Sequence, residues 1–363
     1  MKDIQHYSLL SHNTFGIDAK CSRFVEFSTD DEARLVAAML RQECTEGFLI
    51  IGGGSNLLLT ADYPGTVVHS AIRGMEQVER GTTDFTDFTE REKCEERKEE
   101  RGKSDDGEVL VRCGSGEVWD DVVAWCVAQG WYGAENLSLI PGEVGASAVQ
   151  NIGAYGAEAK DIIYKVEAVE IATGNRCEIS CADCGYGYRQ SRFKNEWRNR
   201  YLITHVTYRL STTFVPRLDY GNIRQELLRR GISEPTAEDV RQTIIDIRNA
   251  KLPDPAIEGN AGSFFMNPIV SREKFNQLQA IYPQMPHYYI DEQHEKIPAG
   301  WMIDQCGWKG RTLGRAGVHD KQALVLVNRG GAAGSDIVAL CEAIRSDVLA
   351  RFGIDIHPEV NIV

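Results

Sequence analysis

Two glycine-rich stretches of this chain have the composition of phosphate-binding loops. The first consists of Gly52, Gly53, Gly54, Ser55 and Asn56, between the apolar run at 48–51 and a leucine run at 57–59. The second, 138–156, is rich in glycine, alanine and serine. A backbone without bulky side chains can approach a pyrophosphate and bind it through N–H groups. Each stretch also has a structural explanation: a plain glycine turn for the first, and a small-residue helix packed on a sheet for the second.

Several polar residues stand in glycine-rich or proline-rich surroundings. They are Arg189 in the segment 188–194, Lys251, Ser263, Asn267 and Glu359. Taken singly, each has an ordinary explanation, such as a surface ion pair for Arg189, a helix cap for Ser263 or a solvated tail position for Glu359. Their combination is harder to explain in that way, so we treat them as candidate site residues.

Standard catalytic motifs are missing from the sequence. It contains no His-Glu-x-x-His, Walker loop, G-x-S-x-G elbow or G-x-G-x-x-G that opens a helix, which disfavours metalloproteases, P-loop NTPases, α/β-hydrolases and Rossmann dehydrogenases. Cys177, Cys181 and Cys184 resemble metal ligands, but a structural zinc requires a fourth ligand and only His205 is loosely placed to supply it. We therefore expect no metal site.

Helices and strands together must position these residues. Apolar periodicity predicts a helix over 30–40 with Leu35 on its buried face, and another over 118–129 that ends at Gly130. Alternating polarity predicts strands over 166–171 and 201–210.

The C-terminal part has its own pattern of elements. A helix over 237–250 is stopped by prolines. The last helix is predicted to begin at a Ser335 cap, to bury Leu349 among other apolar residues, and to end at Gly353. A strand over 354–362 is expected to finish the chain.

Composition indicates a globular chain of two domains, because 363 residues with 42% hydrophobic content exceed one average domain. We place the domains at 1–213 and 214–363, with a solvated, charged insertion at about 80–108. A net charge of -13 argues against nucleic-acid binding. The polar N-terminus lacks a signal peptide or membrane span, and the scattered cysteines fit reduced thiols, so we expect a cytoplasmic protein, as a monomer without membrane contact.

Motifs spread along nearly the whole chain outside the insertion resemble one known family. They are Asn13-Thr14-Phe15-Gly16, the loop 52–56, Ile140-Pro141-Gly142 through Gln150-Asn151-Ile152-Gly153-Ala154-Tyr155-Gly156, Tyr188-Arg189 with Ser191, Gly262-Ser263-Phe264-Phe265, Ala299-Gly300-Trp301 and His357-Pro358-Glu359. In this order they resemble the UDP-N-acetylenolpyruvoylglucosamine reductases (MurB). Leu218-Asp219-Tyr220-Gly221 is similar to the subtype that carries a tyrosine loop over the substrate.

The resemblance implies an α+β fold, with an FAD-binding domain of the vanillyl-alcohol-oxidase (PCMH) type and a C-terminal α+β substrate-binding domain. It implies bound FAD and NADPH as co-substrate. FAD would be held by Gly52, Gly53, Gly54, Ser55, Asn56, Ile140, Pro141, Gly142, Gly145, Ala146, Asn151, Gly153 and Tyr155. The nucleotide-sugar substrate would be held by Tyr188, Tyr220, Lys251, Asn267 and Gln322.

The implied reaction converts UDP-N-acetylglucosamine enolpyruvate into UDP-N-acetylmuramate for peptidoglycan synthesis. A hydride passes from flavin N5 to the enolpyruvyl group. By the same resemblance, Arg189 and Glu359 stabilise the enolate-like charge and Ser263 donates the proton. The sequence departs from the family pattern at Gln190, which replaces an aspartate, and at Met266, which replaces a lysine and removes a positive charge.

Two other functions remain as alternatives. One is a flavin-dependent oxidase or dehydrogenase of the same fold, which would not need Ser263 and Glu359 in this arrangement. The other is a catalytically silent nucleotide-binding protein that keeps the glycine loops alone. The presence of Arg189, Ser263 and Glu359 together argues against the second.

Overall fold

The protein is described here from a computed structural model, which covers residues 1–43, 47–79 and 107–363. The charged insertion expected at 80–108 lies outside these residues except for Gly107 and Glu108. The strands are β1 (Lys2–Ser8), β2 (Lys20–Phe27), β3 (Phe48–Ile51), β4 (Leu57–Leu58), β5 (Tyr63–Ser70), β6 (Met75–Val78), β7 (Glu108–Gly114), β8 (Gly153–Ala154), β9 (Ala157–Glu158), β10 (Ile163–Glu170), β11 (Arg176–Ser180), β12 (Tyr201–Ser211), β13 (Asn260–Ser263), β14 (Ile269–Ser271), β15 (Tyr288–Tyr289), β16 (His294–Lys296), β17 (Thr312–Leu313), β18 (Ala316–Val318), β19 (Val325–Asn328) and β20 (Asn361–Ile362). The helices are α1 (Asp30–Glu43), α2 (Trp119–Ala128), α3 (Val144–Gln150), α4 (Ile223–Arg229), α5 (Ala237–Lys251), α6 (Arg272–Ile281), α7 (Ala299–Gln305) and α8 (Gly334–Phe352).

The chain forms two compact units, each made from separate segments. The first unit comprises Met1–Glu26, Gln42–His69 and Ile245–Val363, and the second comprises Phe27–Arg41 and Ser70–Ile244. This division follows contacts within the fold and differs from the boundary expected at 213. The domain boundary therefore stays a prediction.

The first unit contains several small sheets, and the last helix packs against β18 and β19 of one of them. One sheet has the order β1-β2-β5-β3, and another has the order β13-β19-β18-β17. A short parallel pair joins β20 to β4, with Asn361 opposite Leu57. Residues from α8, including Ile337, Leu340 and Ile344, are fully buried in the core of this unit.

The second unit is built on one antiparallel sheet of the order β11-β10-β12-β7-β6. Val166 and Val206 lie opposite each other and are fully buried. Burial does not alternate along these strands, since residues 166–169 are all buried. Helices α2 and α3 supply further buried apolar residues to the same core. The two predicted strands and the helix that precedes Gly130 are thus confirmed.

Some sequence expectations about single positions are wrong. Leu35 is 61% exposed and Leu349 is 50% exposed, because the buried stripes of α1 and α8 run through neighbouring positions instead. The cap of helix α8 is Ala333, two residues earlier than the expected Ser335, and the backbone N–H of Ala333 donates to the Asp336 carboxylate at 2.9 Å. Of the expected final strand, only Asn361–Ile362 forms a strand, and Pro358 forms a single bridge with Phe265. Gly353 does end α8, in the left-handed conformation.

None of the helices in the described residues has both the length and the apolar character that crossing a bilayer requires.

Candidate active site

The glycine loop 52–56 connects β3 to β4 in the first unit, as the sequence predicts. Gly54 has a φ of 68°, and a Cβ atom at this position would lie 1.9 Å from the backbone oxygen of His12. Only glycine fits such a close approach of two backbones. Gly54 is buried, whereas Gly52, Gly53, Ser55 and Asn56 are partly exposed. The loop therefore exposes part of its backbone on both sides of Gly54, whose own position is fixed by the packing against His12.

The motif Asn13-Thr14 holds this loop, a role that the sequence did not reveal. The side chain of the buried Asn13 donates to the carbonyls of Leu9 and Ile17 at 2.8 and 2.9 Å. The Thr14 backbone N–H donates to the Gly54 carbonyl at 3.3 Å, and the Thr14 hydroxyl donates to the Asn260 carbonyl at 2.6 Å. The signal was present, because this motif was among those that carried the family resemblance.

Ser263 and Glu359 are brought together by backbone pairing in the first unit. The Glu359 N–H donates to the carbonyl of Phe264 at 2.8 Å, and Phe265 forms an antiparallel bridge with Pro358. The Asn56 side chain donates to the Glu359 carbonyl at 3.3 Å. Ser263 is exposed and Glu359 is partly exposed. The chain segments that carry Ser263, Glu359 and the glycine loop therefore lie next to one another.

The other candidates in the first unit have different surroundings. Gln322 precedes β19, whose Val325 lies opposite Ser263, and its side-chain oxygen accepts from the Leu324 N–H at 3.3 Å. Asn267 caps the start of α7, because its Oδ1 accepts from the Ala299 N–H at 2.9 Å. Lys251 is exposed at the last residue of α5.

Arg189 stands at the tip of a tight turn in the second unit. Gly187 and Gln190 exchange backbone hydrogen bonds of 3.0 and 3.1 Å across this turn. Arg189 has a φ of 55°, a left-handed conformation that costs a non-glycine residue energy and is often associated with functional sites. Its guanidinium donates to the backbone carbonyls of Gly153 and Asn151, and it lies 5.2 Å from the ring centre of Tyr188.

Glycine at position 153 makes room for this guanidinium. A Cβ atom there would lie 2.7 Å from Nη1 of Arg189 and 2.8 Å from the Ala157 carbonyl oxygen. Asn151, fully buried and with a φ of 48°, ends α3 and donates through its side chain to the Gly187 carbonyl at 2.8 Å. Two segments that the sequence singled out separately, 150–156 and 188–189, are therefore one structural element.

The loop 140–145 rests on a neighbouring turn that the sequence analysis missed. Gly145 donates from its N–H to the Ser115 carbonyl at 2.8 Å, and a Cβ atom on Gly145 would lie 3.0 Å from Cβ of Ser115. On the other side of the turn, a Cβ atom on Gly116 would meet the Ser70 carbonyl oxygen at 2.5 Å. The sequence signal was the run Gly114-Ser115-Gly116 directly after an apolar strand. Gly142, Gly145 and Ala146 remain partly exposed above this turn.

Tyr155 and Tyr220 belong to neighbouring segments of the second unit. A Cβ atom on Gly156 would lie 3.2 Å from Cβ of Tyr220, and one on Gly221 would lie 3.6 Å from the Tyr155 ring. Asn136 joins the two segments by donating to the carbonyls of Tyr155 and Arg217 at 2.9 and 3.0 Å. Tyr220 is 45% exposed.

Groups packed under these loops are held in their neutral forms by burial. Burial raises the pKa of Tyr208, whose hydroxyl lies 2.9 Å from that of Ser147 in α3, well above its ordinary value. Burial also raises the pKa of Cys184, just before the Arg189 turn, to about 11. Beside Gly54, burial and the charge of His69 lower the pKa of His12 to about 4. These groups therefore shape the loops without adding charge near neutral pH.

The two departures from the family pattern have defined surroundings. The side-chain oxygen of Gln190 accepts from the Asn195 amide at 3.0 Å, away from the Arg189 guanidinium. The Met266 N–H donates to the His357 carbonyl at 3.0 Å, so this position keeps its backbone role. Within residues 1–43, 47–79 and 107–363, no group of three or more histidine, cysteine or acidic side chains is arranged to hold a metal ion.

The residues present are compatible with FAD binding, because the glycine-rich positions of the loops 52–56 and 140–155 leave part of the backbone uncovered by bulky side chains. At Gly54, Gly145 and Gly153, a Cβ atom would meet neighbouring atoms at 3.0 Å or less, so these positions exclude larger residues. Backbone N–H groups in such concave loops are suited to bind a pyrophosphate.

Comparison with known proteins gives consistent matches over the whole chain. Residues 99–180 match a family model described as an FAD binding domain, and residues 254–363 match the C-terminal domain of UDP-N-acetylenolpyruvoylglucosamine reductase. A reductase of that name from Bacteroides fragilis is 55% identical, with 99% of each chain covered. One from Burkholderia pseudomallei is 43% identical, with 97% of this chain and 95% of the relative covered. The crystal structure of the Thermus caldophilus reductase (MurB) superposes with a TM-score of 0.62 at 20% identity, covering 99% of this chain and 98% of that one. These matches confirm the predicted α+β fold with an FAD-binding part.

Proposed function

This chain belongs to the UDP-N-acetylenolpyruvoylglucosamine reductase family, and we propose that its Arg189, Ser263 and Glu359 carry out the catalytic steps. The reaction is the FAD-dependent, NADPH-driven reduction of UDP-N-acetylglucosamine enolpyruvate to UDP-N-acetylmuramate, in peptidoglycan precursor synthesis. Bound FAD, once reduced by NADPH, supplies the hydride that reduces the enolpyruvyl double bond. The chain's own residues must stabilise the resulting charge and supply a proton.

The backbone pairing of the segment 264–265, directly after Ser263, with Pro358 and Glu359 is the observation that best supports this assignment. A hydride added to the terminal carbon leaves negative charge on the α-carbon and its carboxylate, and a proton must reach that carbon. The Ser263 hydroxyl is exposed and acts as the general acid, since a carbanionic centre is basic enough to take its proton. The backbone of Glu359 is held beside the Ser263 segment by the hydrogen bond from its N–H to the Phe264 carbonyl. The Glu359 carboxyl group would share a proton with the enolate-like centre, which spreads the developing charge over both groups.

Arg189 is the cation of the proposed mechanism. Its planar guanidinium is always protonated and can bind both oxygens of the substrate carboxylate. In the second unit its guanidinium donates to the backbone carbonyls of Asn151 and Gly153. A guanidinium held in position in this way is suited to bind an enolate-like carboxylate.

We assign the nucleotide-sugar substrate to Tyr188, Tyr220, Lys251, Asn267 and Gln322. Lys251 supplies a point charge and Asn267 an amide N–H donor for the diphosphate, which adds binding energy away from the reacting carbon. The loops 52–56 and 140–155 hold FAD. The domain boundary at 213, the monomeric state and the cytoplasmic location belong to the same proposal.

A Ser263→Ala variant tests the assignment, because it separates the two half-reactions. Flavin reduction by NADPH should proceed as in the parent protein. Reoxidation by the enolpyruvyl substrate should slow by about 10²- to 10⁴-fold, the usual contribution of a general acid. Anaerobic stopped-flow absorbance of the flavin band measures both steps.

Ser335→Ala is the matched control, because Ser335 is an exposed serine near the start of α8 in the same unit. It should leave both half-reactions unchanged. Unchanged reoxidation in Ser263→Ala would remove Ser263 from its role. A flavin in the parent protein that this substrate leaves reduced would favour an oxidase or dehydrogenase instead.

A further inference from the structure

The turn 139–142 in the second unit, together with Leu137 just before it, is held by three hydrogen bonds to the first residues of α2. The Trp119 indole N–H donates to the Leu137 carbonyl at 2.9 Å, and the Trp119 backbone N–H donates to the Gly142 carbonyl at 3.0 Å. Between them, the Leu139 N–H donates to Oδ1 of Asp120 at 2.5 Å. This turn contains Ile140, Pro141 and Gly142, which we have assigned to FAD binding.

Asp120 is itself fixed by an arginine from α5. Nη1 of Arg241 lies 2.7 Å from Oδ1 of Asp120, and Nη2 lies 3.0 Å from Oδ2. Arg241 is 8% exposed. A bidentate ion pair of this kind has a defined geometry. Shielding from solvent strengthens it relative to an ion pair on the exposed surface. The carboxylate therefore has one orientation, directed at the Leu139 N–H.

Leu139 needs such an anchor because of its own conformation. Its φ is 57°, in the left-handed region that residues with a Cβ atom avoid. Without an external hydrogen bond, the backbone at this position would relax toward a negative φ. That change would swing the chain that follows, beginning with Ile140.

We propose that Asp120, oriented by Arg241, is a positioning residue that holds Leu139 in the left-handed conformation and thereby presets the FAD-binding turn. It acts on FAD affinity through the backbone and does not touch the reacting atoms. This inference rests on the proposed role of the turn 140–142 in FAD binding.

Asp120→Ala tests the inference by titration of the deflavinated full-length protein with FAD, followed by flavin fluorescence. We expect the dissociation constant for FAD to rise about 5- to 30-fold, which corresponds to about 1–2 kcal/mol at 1.4 kcal/mol per tenfold change. Leu139→Gly should bind FAD at least as tightly as the parent, because glycine adopts positive φ without strain. The double variant should recover most of the affinity that Asp120→Ala loses. A purely structural role of Asp120 would not be rescued by glycine at 139.

Glu167→Gln is the matched control. Glu167 also forms a two-pronged pair with an arginine, Arg112, in the same unit at 3.0 and 2.7 Å. It lies opposite His205 on the sheet face away from α3, whose Ser147 contacts Tyr208 on the other face. This variant should change stability but not FAD affinity.

The outcomes separate this inference from the proposed function. If the parent protein fails to bind FAD, the proposed function itself is wrong. If the parent binds FAD and Asp120→Ala binds it equally well, or if Leu139→Gly gives no rescue, the positioning role is wrong. Should Asp120→Ala fail to fold, Asp120→Asn takes its place, because it keeps an oxygen for Leu139 and loses the charge that orients it toward Arg241. Its FAD affinity should fall, and equal affinity would overturn the inference.

Discussion

Replacing Gly54 with alanine should destabilise the first unit more than an ordinary glycine substitution does. Two separate effects act at this position. A φ of 68° is strained for alanine and costs about 1–2 kcal/mol. In addition, the new Cβ atom would lie 1.9 Å from the His12 carbonyl oxygen and 2.8 Å from Cα of Asn13, so backbone must shift. Forced overpacking of this kind costs about 1–3 kcal/mol more.

Gly314→Ala carries the first effect alone, so the difference between the two variants isolates the second. Gly314 lies in the same unit with a φ of 61°, but a Cβ atom there would meet nothing within 4 Å. We therefore expect a loss of about 1–2 kcal/mol for Gly314→Ala and about 2–5 kcal/mol for Gly54→Ala.

Urea unfolding followed by far-UV circular dichroism measures the two free energies of unfolding on a common slope. FAD titration of each variant adds a second measurement, since only Gly54→Ala displaces the loop 52–56. Equal losses of stability in the two variants would refute the reasoning, because they would mean that the His12 backbone yields without cost.

Two further predictions concern other parts of the site. In Gly153→Ala, the new Cβ atom would lie 2.7 Å from Nη1 of Arg189, so the guanidinium must move. Turnover of the enolpyruvyl substrate should therefore fall by about 10²-fold in steady-state assays. Full turnover would show that the position of Arg189 is not critical. The second prediction follows from the lowered pKa of His12, about 4 in the folded state against about 6.5 in an unfolded chain. Between these pH values the unfolded state binds more protons than the folded state, so the free energy of unfolding should decrease as the pH falls from about 6.5 to about 4. In His12→Gln this decrease should be smaller, which urea midpoints measured across the pH range would show. An identical pH dependence in the variant would contradict the assignment to His12.

Much of the local structure is encoded in the sequence. Alternating polarity at 166–171 and 201–210 predicted two central strands, although the folded unit buries consecutive residues, such as 166–169, on both faces of the sheet. The glycines at 52–54 and the proline and glycine at 141 and 142 marked backbone that must bend or approach closely. The family motifs then added the cofactor and the reaction.

The burial of individual residues could not be predicted from the sequence in the same way. Leu35 and Leu349 follow a helical apolar pattern and are nevertheless largely exposed. Periodicity identifies a helix and the approximate side that is buried, but the neighbouring elements determine where the edge of the contact lies. The same reason explains the short final strand, since only Asn361–Ile362 finds a partner in β4.

The assembly of the candidate site depended on contacts between distant parts of the chain. Ser263 and Glu359 are adjacent because Phe265 pairs with Pro358, and Arg189 rests on Gly153 because a tight turn meets the end of α3. Asp120, which no motif marked, holds Leu139 only after α2 and α5 have packed. The sequence by itself therefore determined which residue types were available and the local bends around them. Tertiary structure decided which of them meet, because long-range pairing depends on the packing of whole elements, and local patterns carry no record of it.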